Sequence, residues 1–263
     1  MSHPAVAVLE SALRARKLDS TLTTALQPGK GDGCVAPTGA AALDVVLQGG
    51  LPRGELSEIA GAASSGRTTL LLQVIAGATR RGEIAALVDT FDRLDVASVV
   101  AAGIDTDRLL WVRGEASSPA DRALERALKA FGLVLQSGGF GVAAIDLADA
   151  PPAALHRLPF TTWMRVQRTI EGSETACLIV GPHPIARSAG GLTLSLGGIS
   201  RWAGAADRSR CLAGLDVAVR VVSPRRRVEG AADLAATFTD HELLSHRDRE
   251  DTCLSGSVAR RDR

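Results

Sequence analysis

The sequence predicts an α/β fold, a mostly parallel twisted sheet flanked by helices with an antiparallel extension near the C-terminus. Three observations carry this. Short apolar runs alternate with amphipathic stretches between Leu56 and Gly181, the pattern of strands joined by crossover helices. The run Gly61-Ala62-Ala63-Ser64-Ser65-Gly66-Arg67-Thr68-Thr69 joins one such strand to a helix. It has the frame of a phosphate-binding loop, G-x-x-x-x-G-K-[ST], with arginine in place of the lysine. Beyond Gly190 the texture changes: residues 192–196 and 215–222 alternate like strands without a clear helix between them.

Taken in order, residues 1–36 read as an appendage. Residues 4–17 suit a short helix, with Val8, Leu9 and Leu13 on one side, and 27–33 are a linker by composition. Thr38 is placed to N-cap a helix running to Leu47. Gly49-Gly50-Leu51-Pro52-Arg53-Gly54 breaks it, and a strand follows over 56–60. The phosphate loop then opens an apolar helix over 68–79. Strands are expected at 84–89, 109–113, 142–147 and 176–181. Helices are expected at 95–102, at 120–135, where Leu124, Leu128, Phe131 and Leu135 recur at helical spacing, and at 161–171. Pro151-Pro152 begin a loop. The core domain spans 37–244, and 245–263, rich in Ser, Arg and Asp, is expected to be a disordered tail.

The 263 residues, 46% hydrophobic and 22% charged, suit one domain with a sizeable core. A net charge of +1 argues against non-specific coating of DNA. Lys17, Lys30 and Lys129 are the only lysines among 30 basic residues, so Arg67 shares a bias of the whole chain. Cys34, Cys177, Cys211 and Cys253 are scattered, without C-x-x-C or H-x-x-x-H. This reads as reduced thiols in a cytoplasmic protein rather than a disulfide framework or zinc site. No uncharged apolar run reaches the ~18 residues of a membrane span.

A phosphate loop works because successive backbone N–H groups at a helix start wrap an anion. Gly61 and Gly66 permit that path, Ser64 and Ser65 lie within it, and Thr68 is placed to offer its hydroxyl to Mg²⁺, with Thr69 following. Asp146 ends an apolar strand and can orient Mg²⁺ through water; Asp89 ends another.

Further short motifs accompany the loop in a fixed order. They are Thr38-Gly39, Leu43-Asp44, Gly49 to Gly54, Glu58-Ile59, Val88-Asp89, Leu94-Asp95, Ala102-Gly103-Ile104-Asp105 and Leu109-Leu110. Over roughly residues 35–222, weakening after Gly181, the chain resembles the RecA recombinase family. The resemblance implies a RecA-like core, ATP with Mg²⁺ at the loop, and Asp95 on the adenine side. It also shows departures. Arg67 replaces the family's lysine, Phe91 its catalytic glutamate, and Ser98 its adenine-stacking tyrosine, in a chain with no tyrosine at all. Pro182 stands at the γ-phosphate switch, and Leu194-Ser195-Leu196 where basic residues are expected. Five departures together imply a degenerate ATPase that binds ATP and Mg²⁺ weakly or not at all.

Within that superfamily, Leu109-Leu110-Trp111-Val112-Arg113, Gly139-Phe140-Gly141, Ala189-Gly190-Gly191 and Arg201-Trp202 make the chain similar to ImuA-type accessory proteins. That resemblance implies an adaptor of damage-induced translesion synthesis. Its partners would be a Y-family-like protein, an error-prone C-family DNA polymerase and RecA. A DNA-dependent ATPase or recombinase paralogue binding single-stranded DNA is the alternative. The segments matching the family's DNA loops, 148–160 and 183–190, are short. Candidate DNA or partner contacts are Arg165, Arg168, Arg187, Arg225, Arg226 and Arg227, and Trp163 and Trp202 are candidate partner anchors or core residues.

Overall fold

The computed structural model describes residues 35–186, 191–204, 210–222 and 230–237. All belong to the compact unit that begins at Cys34. The expected helix at 4–17, the 27–33 linker, the 245–263 tail, Arg187 and Arg225-Arg226-Arg227 lie outside the described residues.

The main sheet has eight strands. In chain order they are β3 (Leu56–Gly61), β4 (Ala85–Asp89), β5 (Leu109–Arg113), β6 (Val142–Asp146), β7 (Ala176–Gly181), β8 (Thr193–Ala203), β9 (Cys211–Val222) and β10 (Gly230–Thr237). Two short strands, β1 (Val35–Ala36) and β2 (Leu51–Pro52), precede them as a separate antiparallel pair. The order across the sheet is β10-β9-β8-β3-β7-β6-β4-β5. Every pairing from β5 to β8 is parallel, while β9 and β10 add on antiparallel. The expected α/β architecture, parallel sheet and antiparallel extension included, is the observed one.

Helices cover both faces: α1 (Ala41–Val46), α2 (Arg67–Arg80), α3 (Val96–Ala101), α4 (Ala120–Ser137), α5 (Pro152–Arg157) and α6 (Phe160–Ile170). The period-2 alternation of the strands divides the core in two. Leu87, Ala144, Leu178 and Val180 pack with Leu70, Leu71, Val74 and Ile75 of α2. Their neighbours Val88, Ile145, Cys177 and Ile179 pack with Leu124 and Phe131 of α4 and with Trp163 of α6. Both faces of the inner parallel strands β4, β6 and β7 are buried, so these strands read as nearly unbroken apolar runs. Cys177 is an inert core residue whose thiol pKa is pushed up by burial.

Two local expectations are corrected, and one strand was not foreseen. Thr38 is not the N-cap of α1. Ala40 holds that position with no side-chain cap, and Asp44 reaches back from the first turn to accept from the Thr38 N–H, the Thr38 hydroxyl and the Gly39 N–H. The stretch after Pro151 is the short helix α5, because a proline at N1 is already set to helical φ. Strand β10 arises from an alanine-rich run whose own preference for extended structure is weak. Pairing with β9 along its whole length, from Gly230–Val221 to Thr237–Gly214, supplies what propensity does not.

Trp163 is 1% exposed, which settles it as a core residue, whereas Trp202 is 50% exposed with the Arg210 guanidinium 5.1 Å from its ring centre.

Candidate functional site

The phosphate loop sits where β3, the central strand, passes into α2. Gly66 is in the left-handed region at φ 88, and Ser64 at φ 59. A Cβ on Gly66 would also fall 2.5 Å from Val217 Cγ2, so the position needs glycine for both conformation and space. One on Gly198 would come 2.5 Å from the Ser64 carbonyl oxygen. Strands β8 and β9 thus lie directly against the loop and hold its path.

The first helical bond recorded from the loop into α2 is Leu70 N–H to Gly66 C=O. The N–H groups before it are the orphan donors of a helix start, which an anion satisfies. Thr68 and Thr69 are exposed at that start, and Ser65 is buried with its hydroxyl unpartnered in the protein. The backbone and hydroxyl donors therefore fit a phosphate chain. With ATP and Mg²⁺ bound, the chemistry supplied would be a polyphosphate neutralised by a divalent cation, with Thr68 and Asp146 the residues to hold the metal.

Arg67 is taken up by acceptors of the protein itself. It is 9% exposed, its Nη1 donates to the Gly61 carbonyl at 2.5 Å, and its Nη2 donates to the Ala148 carbonyl at 3.3 Å. Nη2 also lies 3.9 Å from Asp149 Oδ1. A guanidinium has the forked donors for two carbonyls at once, which a lysine ammonium on one stem lacks.

The acidic residues differ in role. Asp89 is buried, and its oxygens accept from the Arg93 and Leu94 N–H groups and from Trp111 Nε1–H. It fixes the turn after β4. Asp146 accepts the Ala148 N–H at 2.8 Å and is partly buried at the end of the adjacent β6. Burial pushes its pKa up to about 6, with Asp89 and Asp149 adding to the rise and Arg67 and the Ala148 amide opposing it. Above pH ~6 the native state carries this charge at a desolvation cost; between about pH 6 and 4 it takes up a proton that the unfolded chain does not, so this group favours folding as pH falls. Asp146→Asn is therefore expected to raise stability at about pH 7.5 by roughly 1–2 kcal/mol, allowing for solvent screening. The gain should shrink toward zero at about pH 4.5, as read from urea midpoints of both proteins.

Phe91 packs against the α4 face of the core. Its neighbour Asp92 forms a bidentate pair with Arg113 at 2.8 and 2.9 Å, which holds the Asp92 pKa low. Asp95 caps α3, accepting from the Ser98 N–H and hydroxyl. The structure thus brings Gly61, Ser64, Ser65, Gly66, Arg67, Thr68, Thr69, Asp89 and Asp146 to the C-terminal ends of the central strands, where ligands bind in open α/β sheets. It does not bring Arg165 and Arg168 there. They are exposed on α6, which packs on the opposite face from α2, and Arg165 lines a groove between α4 and α6.

Sequence reasoning missed two contributors. Asp149 pairs with both Arg67 and Arg93, the latter at 3.3 Å. Glu58 was read only as part of a motif. Its lone charge inside an apolar strand was a usable signal, because a buried carboxylate must have donors.

Residues 25–155 match the family model described as the RecA N-terminal domain. Proteins named RecA are similar over the same part of the chain. That of Acidothermus cellulolyticus is 43% identical over 117 residues, covering 44% of this chain and 32% of the relative. That of Salinispora tropica is 42% identical over 117 residues, with the same coverage. That of Amycolatopsis mediterranei is 40% identical over 125 residues, covering 47% and 34%. The matched stretch spans about a third of the length of these relatives. No helix among the described residues is long and apolar enough to cross a membrane. Residues 25–155 are thus similar to a RecA N-terminal domain, and the central phosphate loop and the parallel sheet around it give the chain a RecA-like α/β fold.

Proposed function

We propose that this chain is a RecA-like accessory protein of bacterial DNA repair, acting in damage-induced translesion synthesis as a non-catalytic or weakly ATP-binding adaptor. The observation that carries the reading is the posture of Arg67. Its fork is committed to the carbonyls of Gly61 and Ala148 rather than to a phosphate. Phe91 supports it: an apolar ring at the position of the water-activating glutamate leaves the attacking water without a base. Asp92 is no substitute, since both its oxygens hold Arg113.

The partners proposed are a Y-family-like protein, an error-prone C-family DNA polymerase and RecA itself, in the cytoplasm. The second reading, a DNA-dependent ATPase or recombinase paralogue that binds single-stranded DNA, is favoured by one observation. Asp146 still ends a strand beside a well-formed phosphate loop.

ATP turnover with and without single-stranded DNA separates the two. The adaptor reading expects no turnover above background in wild type or Arg67→Lys, and co-purification with the polymerase partners. DNA-stimulated turnover by the wild type would reject it. Turnover restored only in an Arg67→Lys/Phe91→Glu double variant would identify the two departures as jointly responsible.

A further inference from the structure

We propose that Asp149 is a latch that sets the anion affinity of the phosphate loop and couples it to the segment 148–157. The inference rests on the weak-binding reading above and assigns the residue that makes binding weak. Three connections converge on that carboxylate and its neighbour. Arg67, the first residue of α2, reaches the Ala148 carbonyl at 3.3 Å and Asp149 Oδ1 at 3.9 Å. Arg93, in the turn that Asp89 holds after β4, reaches Asp149 Oδ2 at 3.3 Å. Asp149 itself stands three residues before Pro152, which opens α5. One side chain thus joins the phosphate loop, the turn after β4 and the segment after β6.

A polyphosphate settling on the orphan amides of α2 competes with Asp149 for the Arg67 guanidinium. Arg67 can serve the ligand only by leaving Ala148 and Asp149. That departure releases the 148–157 segment from the loop. The coupling is reciprocal: whatever pulls 148–157 away frees Arg67 and raises anion affinity. Asp149 is half-exposed, and its two ion pairs are of the modest surface kind. The latch is therefore weak enough for a ligand to open.

The test uses the full chain and two variants, Asp149→Ala and Arg67→Gln, with ATP as the probe. Calorimetric titration with ATP, with and without Mg²⁺, is expected to show Asp149→Ala binding about two- to fivefold tighter than wild type. Removing a negative charge near an anion site would do some of this by itself. The second readout is therefore hydrogen exchange of 148–157 without ligand, which charge repulsion would not move. Both variants are expected to exchange severalfold faster there than wild type, and ATP should speed the same amides in the wild type. Equal ATP affinity in wild type and Asp149→Ala, or unchanged exchange in both variants, overturns the latch and leaves the weak-binding reading standing. Absence of ATP binding in wild type and Asp149→Ala alike overturns both.

Discussion

Glu58→Ala is expected to destabilise the protein by about 3–5 kcal/mol, an apparent Tm loss of roughly 10 °C for a domain of this size. Glu58 lies within the central strand β3 and is buried. Its Oε1 accepts from the backbone N–H groups of Ile185 and Ala186, at 2.7 and 2.5 Å. Its Oε2 accepts the Thr193 hydroxyl at 3.3 Å. Alanine would leave two amides and a hydroxyl buried without an acceptor, and the cost of an unmade hydrogen bond exceeds the gain of a made one. Glu58→Gln keeps an acceptor for the amides and a donor for Thr193, so it should cost only about 1 kcal/mol. Thermal unfolding of the three proteins checks this. Equal losses in both variants would mean that the negative charge, rather than the acceptor geometry, anchors the segment after β7.

Trp163→Ala is the second large effect expected, about 3–5 kcal/mol of lost stability. The indole is among the largest fully buried side chains, set in the core beneath α6 with Phe131 and Ile170. Truncation leaves a cavity that the sheet and α4 cannot collapse to fill. Trp163→Phe should retain most of the stability, costing about 1–2 kcal/mol. Denaturant unfolding gives these values directly. A wild-type stability in Trp163→Ala, with weakened partner binding, would restore this residue as an interface anchor.

The order of elements was legible from the sequence because its physical signals are local. An apolar run such as Ala176–Gly181 buries both faces whichever strands flank it. The spacing of Leu124, Leu128, Phe131 and Leu135 marks one face of a helix before that helix has anything to pack on. The phosphate loop is likewise local: glycines at 61 and 66 and the hydroxyls at 68 and 69 define the cradle within nine residues. Where the chain gave a weak local signal, the elements went unseen. Strand β10 exists because β9 offers it an edge, and α5 because Pro152 suits a first turn.

The site divides along the same line. Sequence alone determined that there is a phosphate-loop frame and that arginine stands where its lysine would. Only the tertiary structure decided what Arg67 does. Its carbonyl partner at Ala148 and its carboxylate partner Asp149 lie some eighty residues away and arrive through the pairing of β6 and β7 next to β3. Long-range pairing also gave Glu58 its donors and left Trp163 in the core and Trp202 in solvent. The physical reason is that conformational preference and burial pattern are written along the chain, whereas the partner of a charged or forked side chain is set by which strands become neighbours.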